Sequence, residues 1–390
     1  MKDIKERCEA YYEEIVAIRR TIHSHPELGM ECGKTTDLIC SCLDRIGIPY
    51  RRTGESGVIA DLKGTKAEAD AMVLLRSDMD ALAMNEATGL PFASEIPGRM
   101  HACGHDLHTA IMLGSASILK EMQGEFAGTV RFLFQPAEEL SDGARYMIEQ
   151  GALDGVNICY GLHMDPFAPT GTIRMKAGPD WAAVDRFTIT VHGTSAHGAM
   201  PHKGADATVA ASALVLDLQS MVSRYCDPMS SLVVTIGSLH SGTAWNIISN
   251  EAVLEGTCRS FDREIYERIP ELLERVVTHT PQSYGCTGEL DLRRTCPPVM
   301  NDETIYALAK QSASKILGEE QVLEAVQEMI GEDFACYAEQ VPSCFVHLGS
   351  GAGVPLHSTT IQFDEASMKT GMAAEVQFAL DALEYLENQN

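Results

Sequence analysis

One short segment, MHACGHDLHTA at residues 100–110, concentrates side chains that can do chemistry: three histidines, one cysteine and one aspartate. Cys103 and His105 are two residues apart across a glycine, so both side chains can face one point. Cysteine sulfur and imidazole nitrogen are ordinary ligands of zinc and related ions. On its own the pair also fits ordinary buried or surface residues, so further candidates are needed to favour a metal site.

Three more candidate ligands stand just past an apolar run or in a loop. Glu139 and His163 follow runs that read as buried strands, and His357 lies in the glycine- and proline-containing segment GVPLHSTT. Together with Cys103 and His105 they make five candidates, which is more than one tetrahedral ion needs. The sequence therefore predicts two adjacent divalent metal ions.

Glu138 and Glu139 raise the question of what two neighbouring carboxylates do. Successive side chains of an extended segment point opposite ways, so the two cannot both bind the same ion. A carboxylate beside the metals that is not a ligand can hold a water molecule and take its proton, as a general base does. Two solvated acids remain the alternative. Asp80 follows another apolar run and could hydrogen-bond a ligand histidine to fix its tautomer, whereas Asp78 could do the same or cap a turn.

The candidate residues follow short apolar runs that predict buried strands. These runs are AMVLLRSDMD (71–80), TVRFLFQPAEE (129–139) and VNICYGLHM (156–164). Between the first two, residues 104–122 fit a helix, with Asp106 placed to cap its first turn. The alternation of strands and helices predicts an α/β fold with a mostly parallel sheet. Ligands of such sheets bind beyond the carboxyl ends of the strands, where the candidate residues would meet.

The pattern changes within residues 182–294. The elements there follow the order βαββαβ, which is typical of a ferredoxin-like domain. Helical segments and the apolar run SCFVHLGS come after it. We therefore expect one catalytic domain made of residues 1–181 and 295–390, with a smaller domain inserted between its two segments.

Composition excludes several classes of function. The chain has 390 residues with a formal net charge of −25, which repels nucleic acid and anionic membranes. No apolar run approaches the roughly 18 residues of a membrane span, and the N-terminal segment reads as an amphipathic helix. The twelve cysteines are scattered, which indicates reduced, buried side chains. A cytoplasmic protein with no nucleic-acid or membrane partner is expected.

The motifs together resemble one known family over residues 15–385. The family is that of the dinuclear metal-dependent amidohydrolases such as hippurate hydrolase, indole-acetyl-amino acid hydrolases and N-acetyldiaminopimelate deacetylase, which are related to aminoacylase and glutamate carboxypeptidase. The resemblance rests on the segments LRSDMDAL, MHACGHDLHTA, FQPAEE, GLHMDP, HGTSAHGAMPH, GTAWNIISNEAVLEGTCR, GEDFACY and PLHS.

The resemblance implies a role for each matching residue. It implies that Glu138 is the general base, and that His197, on the inserted domain, reaches the active site of the opposite subunit of a homodimer to stabilise an oxyanion. Asn246 and Arg259 match positions that bind the substrate carboxylate, and the inserted domain would act as a lid and a dimerisation domain. The implied metal ligands are Cys103, His105, Glu139, His163 and His357.

The expected function is hydrolysis of the amide bond of N-acyl amino acids, such as N-acetyl or N-benzoyl derivatives, by a metal-activated water. The ions would be zinc or manganese, with cobalt or nickel as further possibilities. A metallo-dipeptidase or carboxypeptidase of the same family is the alternative, and a non-catalytic metal-dependent binding protein is a second one. The segment LSDGAR and Ser249 depart from the family pattern near the substrate opening, which leaves the acyl group undefined.

Three histidines near the candidate residues keep no assigned role. His101 and His108 flank the predicted ligands and could support them from behind, but ordinary polar neighbours would look the same. His202 follows a proline in a turn and could face the substrate opening.

Overall fold

The structure is a computed structural model that describes residues 3–389, and these residues form two compact units. One unit takes in the chain up to Gly178, Met300–Val326 and the chain from Asp333 onward. The other consists of Pro179–Val299 and Gln327–Glu332. The later segment joins the second unit through backbone pairing, because the amide of Ala182 donates to the carbonyl of Ile330. The sequence boundaries of 182 and 294 did not anticipate that segment.

Helices and strands alternate through most of the described residues. The helices are α1 (Ile4–Ser24), α2 (Gly33–Ile46), α3 (His105–Glu121), α4 (Gly143–Glu149), α5 (Ala207–Ser220), α6 (Arg263–Gln282), α7 (Glu303–Leu317), α8 (Ala335–Ala338) and α9 (Ser367–Glu387). The strands are β1 (Tyr50–Arg52), β2 (Val58–Lys63), β3 (Met72–Asp78), β4 (Thr129–Gln135), β5 (Ile158–Asp165), β6 (Ile173–Met175), β7 (Gly178–Pro179), β8 (Ala183–His192), β9 (Ala196–His197), β10 (Val233–Ser241), β11 (Ile247–Ile248), β12 (Glu251–Ser260), β13 (Thr287–Cys296), β14 (Met300–Asn301), β15 (Val322–Glu324) and β16 (Ser343–Gly349). Within residues 3–389 no helix is long and apolar enough to cross a membrane.

The first unit contains an eight-stranded sheet in the order β1-β2-β4-β3-β5-β16-β6-β15. Its four central strands, β4, β3, β5 and β16, run parallel to one another. Antiparallel pairs occur toward the edges, between β1 and β2, β2 and β4, and β16 and β6. The predicted α/β fold with a largely parallel central sheet is confirmed. All four central strands therefore bring their carboxyl ends to one edge of the sheet.

Helix α3 is buried on nearly every side, because all residues from His105 to Leu119 are buried. An amphipathic helix would expose one face, so α3 is a core helix of a large domain. It begins after Gly104, whose φ of 96° lies in the left-handed region, and a Cβ there would come within 2.6 Å of Met164. Glycine thus lets the Cys103–His105 segment lie directly against β5.

The prediction that Asp106 caps α3 is wrong. Its side chain makes no capping hydrogen bond, and Gly104 occupies the capping position. The Asp106 carboxylate instead accepts from Nε of Arg19 at 2.7 Å and lies 2.8 Å from Nδ1 of His23. A buried guanidinium on α1 satisfies this carboxylate better than the neutral backbone amides of α3 would, because hydrogen bonds between charged groups are stronger than those with neutral donors.

The cysteines agree with the prediction from composition. All twelve are buried thiols in the part of the chain that the structure describes. Cys40 and Cys42 belong to the apolar core under α2, as their spacing indicated. Cys40 and Cys42 therefore act as small hydrophobic residues.

The second unit is built on a four-stranded antiparallel sheet in the order β10-β12-β8-β13. Helices α5 and α6 pack on it, and the chain order is β8, α5, β10, β12, α6, β13. Leu214, Leu254, Ile269 and Leu273 belong to its separate apolar core. A short ladder between β9 and β11 continues the β8–β12 ladder. The longer ladder ends with the pair His192 and Glu251, and the shorter one begins a few residues away with the pair Ala196 and Ile248.

One buried carboxyl group stands out in the core of the first unit. Glu375 on α9 is only 1% exposed, and its Oε2 atom has no hydrogen-bond partner. Burial raises the pKa of this side chain to about 8, and the neighbouring Ser115 offsets only part of that effect. The folded protein therefore favours the neutral acid, whereas the unfolded chain ionises in the usual carboxyl range.

Replacing Glu375 by Gln should stabilise the protein at slightly alkaline pH. The folded pKa lies above the unfolded one, so Glu375 costs stability as the pH rises from about 4.5 to about 8. At pH 8 the Glu375→Gln variant should gain roughly 1–3 kcal/mol over the parent, and at pH 4.5 the difference should vanish. Urea unfolding at both pH values measures the free energy of unfolding of the variant and the parent. Glu384→Gln, at an exposed position of the same helix, is the matched control and should change neither value.

Candidate metal centre

The five predicted ligands come from different elements that converge at the carboxyl edge of the central sheet. Cys103 and His105 flank the start of α3, Glu139 lies in the turn after β4, and His163 lies near the end of β5. His357 comes from the loop after β16 and has a positive φ of 62°. The structure thus brings all five together, as the strand pattern indicated.

Four overlapping groups of side chains at this edge could hold metal ions: Asp78 with His105 and His108, and three groups that centre on the predicted ligands. Within each group the ligand atoms lie within 4.8 Å of one another. Cys103 Sγ is 3.3 Å from Nε2 of His163, and His357 Nε2 is 3.5 Å from Oε1 of Glu139. The other three groups are Cys103 with His105 and His163, Cys103 with Glu139 and His357, and His105 with Glu138 and Glu139. Cys103, His105 and Glu139 link the groups into one continuous centre.

The rings of His105 and His163 are oriented by backbone carbonyls. Nδ1 of His105 lies 2.9 Å from the carbonyl oxygen of Asp80, and Nδ1 of His163 lies 2.9 Å from that of Met164. A carbonyl can only accept, so Nδ1 of each neutral ring carries the proton and Nε2 is left as the ligand atom. The Asp80 carboxylate, predicted to fix a ligand tautomer, also approaches Nδ1 of His105, with its Oδ1 atom at 3.5 Å.

Two buried ligand atoms without hydrogen-bond partners indicate that this centre fits a metal ion. Nε2 of His105 and Oε1 of Glu139 are buried and have no hydrogen-bond partner. Leaving such atoms without a partner is costly, and a bound cation would satisfy both. Sulfur, imidazole and carboxylate donors also match the ligand preferences of zinc and related divalent ions.

The Asp80 carboxylate holds the turn that carries the two glutamates. Its Oδ1 accepts from the amide of Glu138 at 3.0 Å, and its Oδ2 accepts from the amide of Glu139 at 3.3 Å. Ala137 has a φ of 56°, so the chain leaves the extended conformation just before the pair. The assumption of an extended segment was wrong. One oxygen of Glu138 and one of Glu139 both lie 4.0 Å from Nε2 of His105.

Carboxylates make the centre favourable for positive charge. Burial by itself would lower the pKa of His105, but the carboxylates of Asp78 and Asp80, with Glu139, outweigh it and raise that pKa to about 10. Burial raises the pKa of the Cys103 thiol, and the Glu139 carboxylate raises it further. His105 and the Cys103 thiol therefore keep their protons unless another cation takes the place of those protons. A divalent metal ion can do so, because metal binding releases protons from its ligands.

A buried network behind the centre was missed by the sequence reasoning. Arg76 lies within β3 and is fully buried, with hydrogen bonds to Asp78 at 2.5 Å, to Asp333 at 2.8 Å and to Gln135 at 2.9 Å. The Tyr337 hydroxyl donates to Gln135 at 2.8 Å. An arginine in the middle of the apolar run VLLRSD was the available signal, because a buried guanidinium requires carboxylate partners.

The three unassigned histidines have different surroundings. His108 is buried and lies 2.6 Å from Asp78 through Nδ1, while its Nε2 accepts from the amide of Met164 at 2.9 Å. His101 is also buried, but neither of its ring nitrogens has a hydrogen-bond partner. His202 is exposed on the second unit.

His197, Asn246 and Arg259 belong to the second unit. His197 is exposed on β9, where Nδ1 accepts from the amide of Ala199 at 3.1 Å, and the carbonyl of Asn246 accepts from Gly198 nearby. Arg259 is half-buried near the end of β12, and its Nη1 donates to the carbonyl of Met329 at 3.0 Å. The structure thus places His197 beside Asn246 and leaves Arg259 at the other end of the same ladder.

Two relatives cover most of the chain. An N-acetyl-L-cysteine deacetylase of Bacillus subtilis (strain 168) is 40% identical over 357 residues, which are 91% of this chain and 85% of that protein. IAA-amino acid hydrolase ILR1-like 5 of Arabidopsis thaliana is 36% identical over 346 residues, which are 87% of this chain and 79% of that protein.

A solved structure and a family model complete the comparison. A Bacillus subtilis protein described as a dinuclear metal binding peptidase from the M20 family superposes with a TM-score of 0.86 at 37% identity, over 96% of this chain and 99% of that one. The family model described as Peptidase family M20/M25/M40 matches residues 74–381. With this match over most of its length and a centre built from the same motifs that indicated the family, the chain belongs to Peptidase family M20/M25/M40 and is a hydrolase.

Proposed function

We propose that this protein is a metal-dependent amidohydrolase that cleaves N-acyl amino acids into a carboxylate and a free amino acid. The observation that carries the proposal is the position of Glu138, a carboxylate beside the predicted ligands that can act on a water molecule there. The names of the relatives, an N-acetyl-L-cysteine deacetylase and an IAA-amino acid hydrolase, support this substrate class. The presence of Glu138 argues against the non-catalytic binding protein.

The residues that would hold two metal ions are Cys103, His105, Glu139, His163 and His357. The buried, unpartnered atoms of His105 and Glu139 support this assignment. We propose zinc or manganese, with cobalt or nickel as alternatives, because a cysteine ligand favours zinc while the other ligands admit the rest. When bound, such ions lower the pKa of a water molecule and polarise an amide carbonyl.

Glu138 would move the proton that the reaction needs. As the water oxygen bonds to the amide carbon, the Glu138 carboxylate accepts the proton that the water loses. It returns that proton to the amine nitrogen as the carbon–nitrogen bond breaks, so the carboxylate is regenerated. The Asp80 carboxylate fixes the backbone of Glu138 and so holds this side chain in position.

Substrate binding would involve Arg259 and Asn246, and His197 would stabilise the oxyanion. A guanidinium suits a substrate carboxylate because its planar fork can donate two parallel hydrogen bonds.

Eight residue steps separate Glu251 from Arg259 along β12, which is roughly 26 Å at about 3.3 Å per residue. His197 and Asn246 lie beyond the Glu251 end. One small substrate cannot span that distance, so His197 and Asn246 would serve the site of another copy of the chain, whereas Arg259 would serve the site of its own chain.

A homodimer through the second unit is therefore part of the proposal. Exposed apolar side chains on that unit support it: Val209 and Leu216, seven residues apart on α5, are 48% and 73% exposed, and Val233 and Leu239 project from the edge strand β10. Exposed apolar patches and unpaired strand edges of this kind are typical of association surfaces. A cytoplasmic location is also proposed, because the twelve buried thiols suit a reducing compartment.

A substrate panel tests the proposed function. The metal-free protein, reloaded with zinc or manganese, should release amine from at least one series among N-acetyl, N-benzoyl, N-carbamoyl and indole-acetyl amino acids. Unblocked dipeptides should be cleaved far more slowly, and the metal-free protein should be inactive. Cleavage of dipeptides alone would make the protein a peptidase instead, and binding of two metals without any cleavage would favour the binding protein.

A further inference from the structure

His108 lies between two of the predicted metal ligands. The centroid of its ring is 4.8 Å from that of His163 and 5.5 Å from that of His105. Its ring plane is tilted by 65° to His163, an edge-on arrangement in which one ring limits the rotation of the other. His108 therefore touches both ligand rings without being one of the five predicted ligands.

Hydrogen bonds fix the His108 ring at both nitrogens. The amide of Met164 can only donate, so Nε2 of His108 accepts and Nδ1 carries the proton. That proton is donated to Oδ1 of Asp78 at 2.6 Å. Both nitrogens are thus occupied, which leaves no free atom for a metal ion on His108. The bond to Met164 also anchors the residue whose carbonyl orients His163.

Arg76 fixes the position of the Asp78 carboxylate in turn. Arg76 donates to its Oδ2 at 2.5 Å, and Arg76 also pairs with Asp333 at 2.8 Å. All three side chains have no exposed surface. Oδ2 of Asp78 lies 3.8 Å from Nε2 of His105, so a fixed negative charge stands close to the proposed ligand atom.

We propose that His108 and Asp78 are positioning residues of the metal centre, which fix the rings of His105 and His163 and so set the affinity for divalent cations. This inference rests on the metal centre of the proposed function but not on its substrate. A ligand whose ring is already held in place loses less rotational freedom when a metal binds, and so binds more tightly. Residues that orient metal ligands typically contribute 10–100-fold in affinity.

The test compares two buried histidines from the same segment of the chain. His108→Leu keeps a side chain of similar size but removes both hydrogen bonds, and His101→Leu makes the same change where neither nitrogen has a partner. Zinc affinity is measured on folded, metal-free protein by competition with a coloured chelator, without substrate. Zinc should bind at least 10-fold more weakly to His108→Leu and within about twofold of the parent to His101→Leu. The rise in unfolding temperature on adding zinc should shrink only for His108→Leu.

Two outcomes would overturn the proposal: unchanged zinc affinity in His108→Leu, or an equal loss in His101→Leu, which would indicate general softening of the core. If His108→Leu does not fold, Asp78→Asn replaces it, because that change preserves shape while removing the charge, and the same 10-fold loss is expected. No amide substrate enters these measurements. A failure of the proposed hydrolysis would therefore leave the result for zinc binding unaffected.

Discussion

Replacing Glu138 by Gln should lower kcat for N-acyl amino acids by about 10³-fold or more while both metal ions stay bound. Gln is nearly the same size, so the turn held by Asp80 can keep its backbone hydrogen bonds. The amide cannot accept a proton from water or return one to the leaving amine, and general acid–base catalysis contributes roughly 10²–10⁴-fold. Steady-state rates on the best substrate of the panel, with metal analysis of the same samples, measure both quantities.

Glu139→Gln is the matched control for that prediction. Both glutamates approach Nε2 of His105 at 4.0 Å, but the Oε1 atom of Glu139 is buried without a hydrogen-bond partner. Glu139→Gln should therefore lose metal as well as activity, whereas Glu138→Gln should lose activity alone. Near-normal turnover in Glu138→Gln, or equal loss of metal in both variants, would refute the role given to Glu138.

The convergence of the candidate site could be predicted because it follows from strand direction. Parallel strands deliver the residues after their carboxyl ends to one edge, and the apolar runs before Asp78, Glu139 and His163 marked three such ends. His357 was a candidate because it lies in a glycine- and proline-containing loop, and the structure shows that this loop follows the buried strand β16. Residue type and sheet topology were sufficient to predict that these side chains converge, without any knowledge of their contacts.

The local geometry of the glutamate pair could not be predicted by the same reasoning. Alternation of side chains holds in an extended strand, but Ala137 adopts a positive φ that begins a turn. Asp80, more than fifty residues earlier in the chain, supplies the carboxylate that accepts from both amides of that turn. A non-glycine residue rarely adopts such a conformation, and here the surrounding contacts determine it rather than the residue itself.

Partners distant in the chain explain the other errors and omissions. Asp106 fits a helix cap by its type and position, but it is paired with Arg19, 87 residues away. Arg76 is explained by Asp333, 257 residues away. A single sequence indicates that a buried charge needs a partner, but it does not identify which carboxylate folds next to it.

A second large effect is expected when two inactive variants are mixed. Glu138→Gln and His197→Ala should each be nearly inactive as homodimers. In a heterodimer, one site combines an intact Glu138 with an intact His197 from the partner subunit. Random exchange of subunits gives intact pairs at about a quarter of all sites, so the mixture should recover about a quarter of the parental activity. The measurement is the rate of amine release after the two proteins have been unfolded together and refolded with zinc.

A mixture of Glu138→Gln with Arg259→Ala tests the division of roles between the subunits. We propose that Arg259 serves the site of its own chain, because roughly 26 Å of strand β12 separates it from the segment that carries His197. No site in that heterodimer combines an intact Glu138 with an intact Arg259, so no activity should return. Recovery in both mixtures would show that Arg259 also acts across the interface. Recovery in neither would show that His197 acts within its own chain, since a single polypeptide would then have to supply both residues.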